Sequence, residues 1–482
     1  MPFFSDHYFY IWLEYFRVLD YLPRIDVHQK LITMKAKKFT RRQVIAATSA
    51  GAIGTMINWP LLSFGTGFKG KEKLAILGGE KVHKGVWPDW PVWDKTAEQG
   101  IVDMLRTGRW WRGEGEHVAE FEKKYAELMG AKQCVAVASG TTALITALGV
   151  MGVDAGDEVL VSPYTFIATY NAIFFHKALP VFVDSDPETF LMDPSKIESK
   201  ITDRTAAILP VHIYGLPVDM DSVNKVAKAH DLKVVEDACQ AWLAEYKGKK
   251  TGTLGDLGCF SFQNSKHIPA GEGGAITGMN GDLLDRCHSY HNCGRAFGNM
   301  KPVTGYPYRG GNFRMQQSQA LILMSQMHRI ASDNDIRLSN ALYLDKKLKE
   351  IPGIIPHKLA NGATRAVYHL YPFRYQKEKF NNIPKEKFLS ALQAEGIPAS
   401  AGYGKQNKDL LFEEAFSSRG YKRLFGEARL KKWRDENHLP GNDQLCDEAV
   451  GLYQSILLGS KSDMDDIVNA IRKIYENRDS LV

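Results

Sequence analysis

Past Gly130 the chain alternates two hydrophobic rhythms. The short runs "QCVAVA", "DEVLVSP", "LPVFVD", "TAAILPV", "LKVVED", "LGCFSF" and "GAITG" are nearly unbroken apolar stretches, and they predict strands covered on both faces. Between several of them lie segments with helical patterning: "TTALITALGVMG", "FIATYNAIFFH" and "MDSVNKVAKAH". Strands of about five residues separated by helices of about ten imply βαβ units and a mostly parallel sheet, hence an α/β fold. Ligands of such sheets bind at the carboxyl ends of the strands, so the polar residues found there are the ones to read for chemistry.

The same patterning sets the organisation. An amphipathic helix, "KTAEQGIVDMLRTG", follows an extended segment with Trp87, Trp90 and Trp93, whose expected role is packing. After "GGNFRMQQSQALILMSQM" a single long helix is expected to run on through "DNDIRLSNALYLDKKLKEI" until Pro352 and Gly353 close it. A smaller α+β part follows, with strand "HLYPFRY", helix "KEKFLSALQAEG" and a last helix "DMDDIVNAIRKIYEN". The expected division is a large domain over residues 73–340 and a small C-terminal domain over 341–482, with the boundary inside the long helix.

The first 70 residues read differently. From Met34 a basic start and the pair Arg41-Arg42 precede an uncharged apolar run from Val44 to Ile57. That run is short for a bilayer span and suits the apolar core of a signal segment over residues 34–60. The twin arginines resemble a Tat export signal. The expectation is export to the periplasm or a membrane-anchored state through the Tat machinery, with a cytoplasmic location if the segment is instead a buried helix. The aromatic stretch before Met34 fits no targeting pattern, and Met34 is expected to be the natural start.

Composition narrows the function. The chain has 482 residues, 44% hydrophobic and 24% charged, and a net charge of +6 scattered among mixed signs, so no nucleic-acid footprint is visible. Six cysteines form no C-x-x-C pair, and Cys287 and Cys293 with His288 and His291 do not match a closed zinc site. They are read as reduced and structural, and no metal is expected.

Four motifs carry candidate chemistry. In "ASGTTAL" Gly140 lies at a strand-to-helix turn, where free N–H groups and the helix dipole make an anion corner; Thr141 and Thr142 could cap the helix or bind phosphate. In "VVEDACQA" a buried-looking strand delivers Asp237, a carboxylate that needs a cation, a strong donor or a helix to cap, and Gln240 could donate to a neighbouring oxygen. In "FQNSKHIPAGEGGAI" Lys266 is snorkelling, paired or reactive. Gly271, Gly273 and Gly274 are read as leaving room for a bound ring, and Ser261 just before is a second phosphate donor. In "PYTFIATYNA" Phe166 either packs in the core or stacks on a flat heterocycle. Together they supply what pyridoxal 5'-phosphate requires: a phosphate handle, a ring stacker, a charge for the ring nitrogen and an amine for the aldehyde.

These blocks, with "PVHIYGLPVDMD" and "GGNFRMQQSQAL", resemble the DegT/StrS family of sugar aminotransferases over about residues 73 to 478; within it "LAILGGEKV" with "WPDWP", and "FQNSKHIPAGEGGA" with "HNCGR", look closest to the subgroup containing cyclitol aminotransferases and 3-amino-5-hydroxybenzoate synthases. The resemblance implies the aspartate aminotransferase-like fold and transfer of an amino group from glutamate or glutamine to a keto sugar or keto cyclitol. Lys266 would tether the cofactor and act as base, with Asp237 at the ring nitrogen and Gln240 at the ring hydroxyl. Phe166 would stack, and Gly140, Thr141 and Ser261 would hold phosphate. It further implies a homodimer with shared active sites, in which Asn312 reaches the neighbour's phosphate. Dehydration or aromatisation of a cyclic substrate, and cofactor binding without turnover, stay open as alternatives.

Overall fold

The computed structural model describes residues 72–303 and 305–482; the Tat-like segment lies outside them. Seven strands form one sheet in the order Gln133–Val137, Gly274–Gly278, Leu257–Ser261, Lys233–Asp237, Thr205–Leu209, Glu158–Val161, Leu179–Phe182. Only Gly274–Gly278 runs against its neighbours; the pairings from Leu257–Ser261 to Leu179–Phe182 are parallel. The predicted α/β sheet is present, and its strands are buried nearly throughout, as unbroken apolar runs require. A second sheet of Ile354–Pro356, Leu370–Tyr375, Ala449–Tyr453 and Ala399–Ser400 is antiparallel throughout.

The long helix expected after residue 316 is two helices, Gln317–Met327 and Ile330–Leu348. Apolar periodicity runs through the junction, so the sequence conceals the break. Its cause is tertiary. The first helix packs on Thr96–Thr107 and His117–Met129, the second on the C-terminal helix Lys461–Glu476. Arg329 at the junction pairs with Asp333 (2.8 Å) and starts the second helix.

Patterning left residues 410–448 unassigned. They form the helices Leu410–Ser417, Arg419–Glu436 and Pro440–Glu448. Phe412, Phe416, Tyr421 and Trp433 pack in the same apolar cluster as Tyr170 and Phe182 of the large sheet and its helices. Trp433 Nε1 donates to the Pro180 carbonyl (2.6 Å) and Tyr421 Oη to that of Ala178 (2.8 Å), both at the edge strand.

Beneath the future site, Glu236 is fully buried and accepts from the N–H groups of Gly252, Leu254 and Gly255 (2.7 Å each) and from His212 Nε2 (2.9 Å). His212 Nδ1 accepts from the Val218 N–H (3.0 Å), which fixes the tautomer with the proton on Nε2. One carboxylate thus holds the 252–255 turn against the strand that ends in Asp237. Glu236→Ala leaves four donors without an acceptor, and urea unfolding is expected to show a loss of about 3–5 kcal/mol. A loss below about 1 kcal/mol would mean that water replaces the carboxylate.

Candidate active site

A cavity of about 590 Å³ opens at the carboxyl ends of the central strands. Gly140, Thr141, Phe166, Asp237, Gln240, Ser261 and Lys266 all line it. Seven of the eight residues picked from sequence are therefore brought together. Asn312 is not: it is exposed and bridged to Asn292, away from this cavity.

The anion corner forms where the strand Gln133–Val137 turns into the helix Gly140–Val150. Ser139 and Thr142 cap that helix reciprocally, Ser139 Oγ accepting from the Thr142 N–H (3.1 Å) and Thr142 Oγ1 from the Ser139 N–H (2.9 Å). Thr142 is thereby a cap, while Thr141 faces the cavity with the first-turn N–H groups. A Cβ on Gly140 would lie 2.7 Å from Ser261 Cβ and 2.9 Å from Cys239 Sγ, so only glycine lets the corner sit against the strand that carries Ser261.

Of the glycines after Lys266, Gly274 is set by protein packing. A Cβ at Gly271 would meet nothing within 4 Å, and at Gly274 it would fall 2.3 Å from the Ser139 carbonyl oxygen. Gly274 is required because its strand presses on the anion corner rather than because a ring needs space, and Gly271 has a φ of +77° that favours glycine. The loop they close is held by Phe262 N–H to the Gly273 carbonyl (2.8 Å) and Asn264 N–H to that of Gly271 (3.0 Å).

Lys266 sits in that loop, partly buried, with its amine 5.9 Å from the Trp242 ring centre. Burial lowers its pKa below the ordinary lysine value, against the opposing pull of Cys239 and Asp237. Trp90 Nε1 donates to the Lys266 carbonyl (3.1 Å), so this tryptophan packs against the loop that carries Lys266. Asp237, 5% exposed, accepts from Thr169 Oγ1 (2.8 Å) and from the Cys239 N–H (3.2 Å). Because Thr169 donates to the carboxylate, it accepts from Thr165 Oγ1 (2.9 Å). Phe166 keeps 55% of its surface open, which excludes the core-packing reading and leaves a ring face on the cavity.

The further lining groups include Thr169, His369 and Tyr403, which sequence reasoning did not single out. Thr169 stands three residues after Phe166, so a helical face count would have found it. His369 and Tyr403 come from the C-terminal third, where no local signal marks them. Burial first, then the nearby Lys266 and Arg337 cations, push His369 well below the usual histidine range, so it is neutral at neutral pH.

The donor set fits pyridoxal 5'-phosphate: an anion corner, an open aromatic face, a buried carboxylate and a desolvated amine surround one cavity. The DegT/DnrJ/EryC1/StrS aminotransferase family model matches residues 92–451. The chain is 34% identical over 417 residues to the L-glutamine:2-deoxy-scyllo-inosose aminotransferase of Streptomyces fradiae, covering 84% of this chain and 98% of that protein. It is 33% identical over 422 residues to the enzyme of the same name from Streptoalloteichus tenebrarius, covering 85% and 99%. Among solved structures it is similar to 3-amino-5-hydroxybenzoic acid synthase, with a TM-score of 0.71, 29% identity and coverage of 81% and 99%. NtdA from Bacillus subtilis with bound cofactor PMP matches with a TM-score of 0.65, 25% identity and coverage of 79% and 82%. The chain belongs to the DegT/DnrJ/EryC1/StrS aminotransferase family and is an aminotransferase with the aspartate aminotransferase-like fold.

Proposed function

We propose that the chain uses pyridoxal 5'-phosphate to move an amino group from L-glutamine to a keto cyclitol. The observation that carries this reading is the meeting of Lys266 and Asp237 in one cavity with the Gly140–Thr141 anion corner. The names of the similar Streptomyces and Streptoalloteichus enzymes support the donor and the acceptor.

When bound, the cofactor supplies an aldehyde for the incoming amine and a ring that takes up electrons from the amine's carbon. Gly140, Thr141 and Ser261 hold its phosphate and Phe166 covers its ring. Asp237 keeps the ring nitrogen protonated, anchored by Thr169 and the Cys239 N–H so that the carboxylate cannot turn away. Lys266 tethers the cofactor and, once displaced by the donor, takes the proton from the donor's α-carbon; its lowered pKa suits an amine that must be neutral to do so. Asn312 of a second copy would complete the phosphate site.

The test uses the full-length chain with pyridoxal phosphate, and sedimentation of that species is expected to show two chains. Borohydride is expected to fix the cofactor on Lys266. L-Glutamine is expected to bleach the visible band, and 2-deoxy-scyllo-inosose to restore it with release of an amino cyclitol. A label on another lysine would end the site assignment. A band that glutamine leaves unchanged would end the donor assignment.

A further inference from the structure

Gln240 is the middle link of a hydrogen-bond chain whose polarity is fixed. The Tyr214 N–H donates to Gln240 Oε1 (2.8 Å). A backbone N–H can only donate, so that end of the carboxamide is the oxygen and the other end is the NH₂. Gln240 Nε2 in turn donates to Tyr403 Oη (2.8 Å). The hydroxyl proton of Tyr403 therefore points away from Gln240.

Among the described residues the neighbouring tyrosines are bonded elsewhere than to that hydroxyl. Tyr164 Oη and Tyr214 Oη bond to each other (2.8 Å), and the Tyr403 N–H donates to Tyr164 Oη (3.3 Å). The Tyr403 ring is stacked on Tyr214 (5.7 Å between centres, 11° between planes) and lies edge-on to Tyr164 (5.5 Å, 84°). Its open side is the cavity, which it lines with Gln240, Asp237 and Lys266. The backbone is shaped to deliver it. Gly402 has φ +71°, and a Cβ there would stand 2.6 Å from Tyr164 Oη, so the chain is pressed against the tyrosine pair one residue before Tyr403. Burial pushes the Tyr403 phenol up to about 12, which keeps it a proton donor throughout the neutral range.

We infer that the Tyr403 hydroxyl is a hydrogen-bond donor of the active cavity, aimed by Gln240 at an oxygen of the bound molecules: the ring hydroxyl oxygen of the cofactor or an oxygen of the cyclitol acceptor. The inference rests on the proposed pyridoxal phosphate chemistry and assigns a contact that the motif residues do not include.

The test compares full-length Tyr403→Phe with wild type and with Tyr214→Phe. Tyr403→Phe keeps the stacked ring and removes only the hydroxyl. Tyr214→Phe removes a hydroxyl from the same cluster but keeps the N–H that holds Gln240, so it reports what a purely structural loss does. Two quantities are read: the pH midpoint of the visible absorbance of bound pyridoxal phosphate, and KM for 2-deoxy-scyllo-inosose. If the partner is the cofactor oxygen, Tyr403→Phe moves the midpoint by the equivalent of about three- to tenfold in proton affinity and leaves KM alone. If the partner is the acceptor, KM rises about three- to tenfold and the absorbance titration superimposes on wild type. Either result supports the donor, provided Tyr214→Phe moves neither quantity. The inference is overturned if Tyr403→Phe leaves both unchanged, or if Tyr214→Phe moves them equally. A wild-type chain that shows no cofactor absorbance would overturn the proposed function first, and this contact with it.

Discussion

Lys266→Ala is expected to lower turnover by about 10⁴-fold or more while the chain still binds pyridoxal phosphate. The two halves of that result have separate causes. In the proposed reaction the tether and the proton-transferring amine are one group, so a single truncation removes both. The phosphate corner at Gly140 and Thr141, the Phe166 face and Asp237 lie on other elements, and the substitution leaves them in place. Borohydride should then fix no cofactor to the chain, although equilibrium dialysis still detects binding. The cofactor-free variant should also be more stable than wild type at neutral pH. Burial lowers the Lys266 pKa on folding, so the folded chain holds fewer protons there than the unfolded chain, and the penalty is full below the folded pKa. It fades as pH rises towards 10.5, so the stability gain of the variant should shrink over that window. Wild-type turnover in Lys266→Ala would remove this lysine from the mechanism.

Asp237→Asn is expected to cost about 10²- to 10³-fold in kcat. The amide has the shape of the carboxylate: its oxygen can still accept from the Cys239 N–H while its NH₂ donates to Thr169 Oγ1, whose own proton then turns to Thr165, so the variant should fold and bind cofactor. It lacks the charge that keeps a ring nitrogen protonated, and without that proton the ring takes up electrons poorly. Removing a charge held at 5% exposure should make the cofactor-free variant no less stable than wild type in urea. A kcat within about threefold of wild type would show that the ring nitrogen does not depend on this carboxylate.

Local chemistry made much of the site legible. Gly140, Asp237 and Lys266 each stand at or just after a strand end, and strand ends follow from apolar runs of short period. The reasons for some residues were misread even where the residues were found. Gly274 looked like space for a ligand, but its missing side chain makes room for the Ser139 carbonyl, and nothing in a sequence shows which strand lies beside it. Tyr403 was out of reach because its partner Gln240 is 163 residues away. The helix break at His328 was hidden for the opposite reason: the local pattern is helical on both sides, and only the two different packing partners separate the halves. The helices of residues 410–448 cover the large sheet from far along the chain, which local periodicity cannot reveal.

That distant cover bears on how the protein is made. The strand Leu179–Phe182 is an open edge of the large sheet, and its outward carbonyls at Ala178 and Pro180 are satisfied by Tyr421 and Trp433. The covering tryptophan lies 253 residues later. A ribosome adding about 5–20 residues per second therefore leaves the edge unprotected for roughly 13–50 s of synthesis. During that interval Pro180, which offers no N–H to a stray strand, is the guard already in place against pairing with another nascent chain.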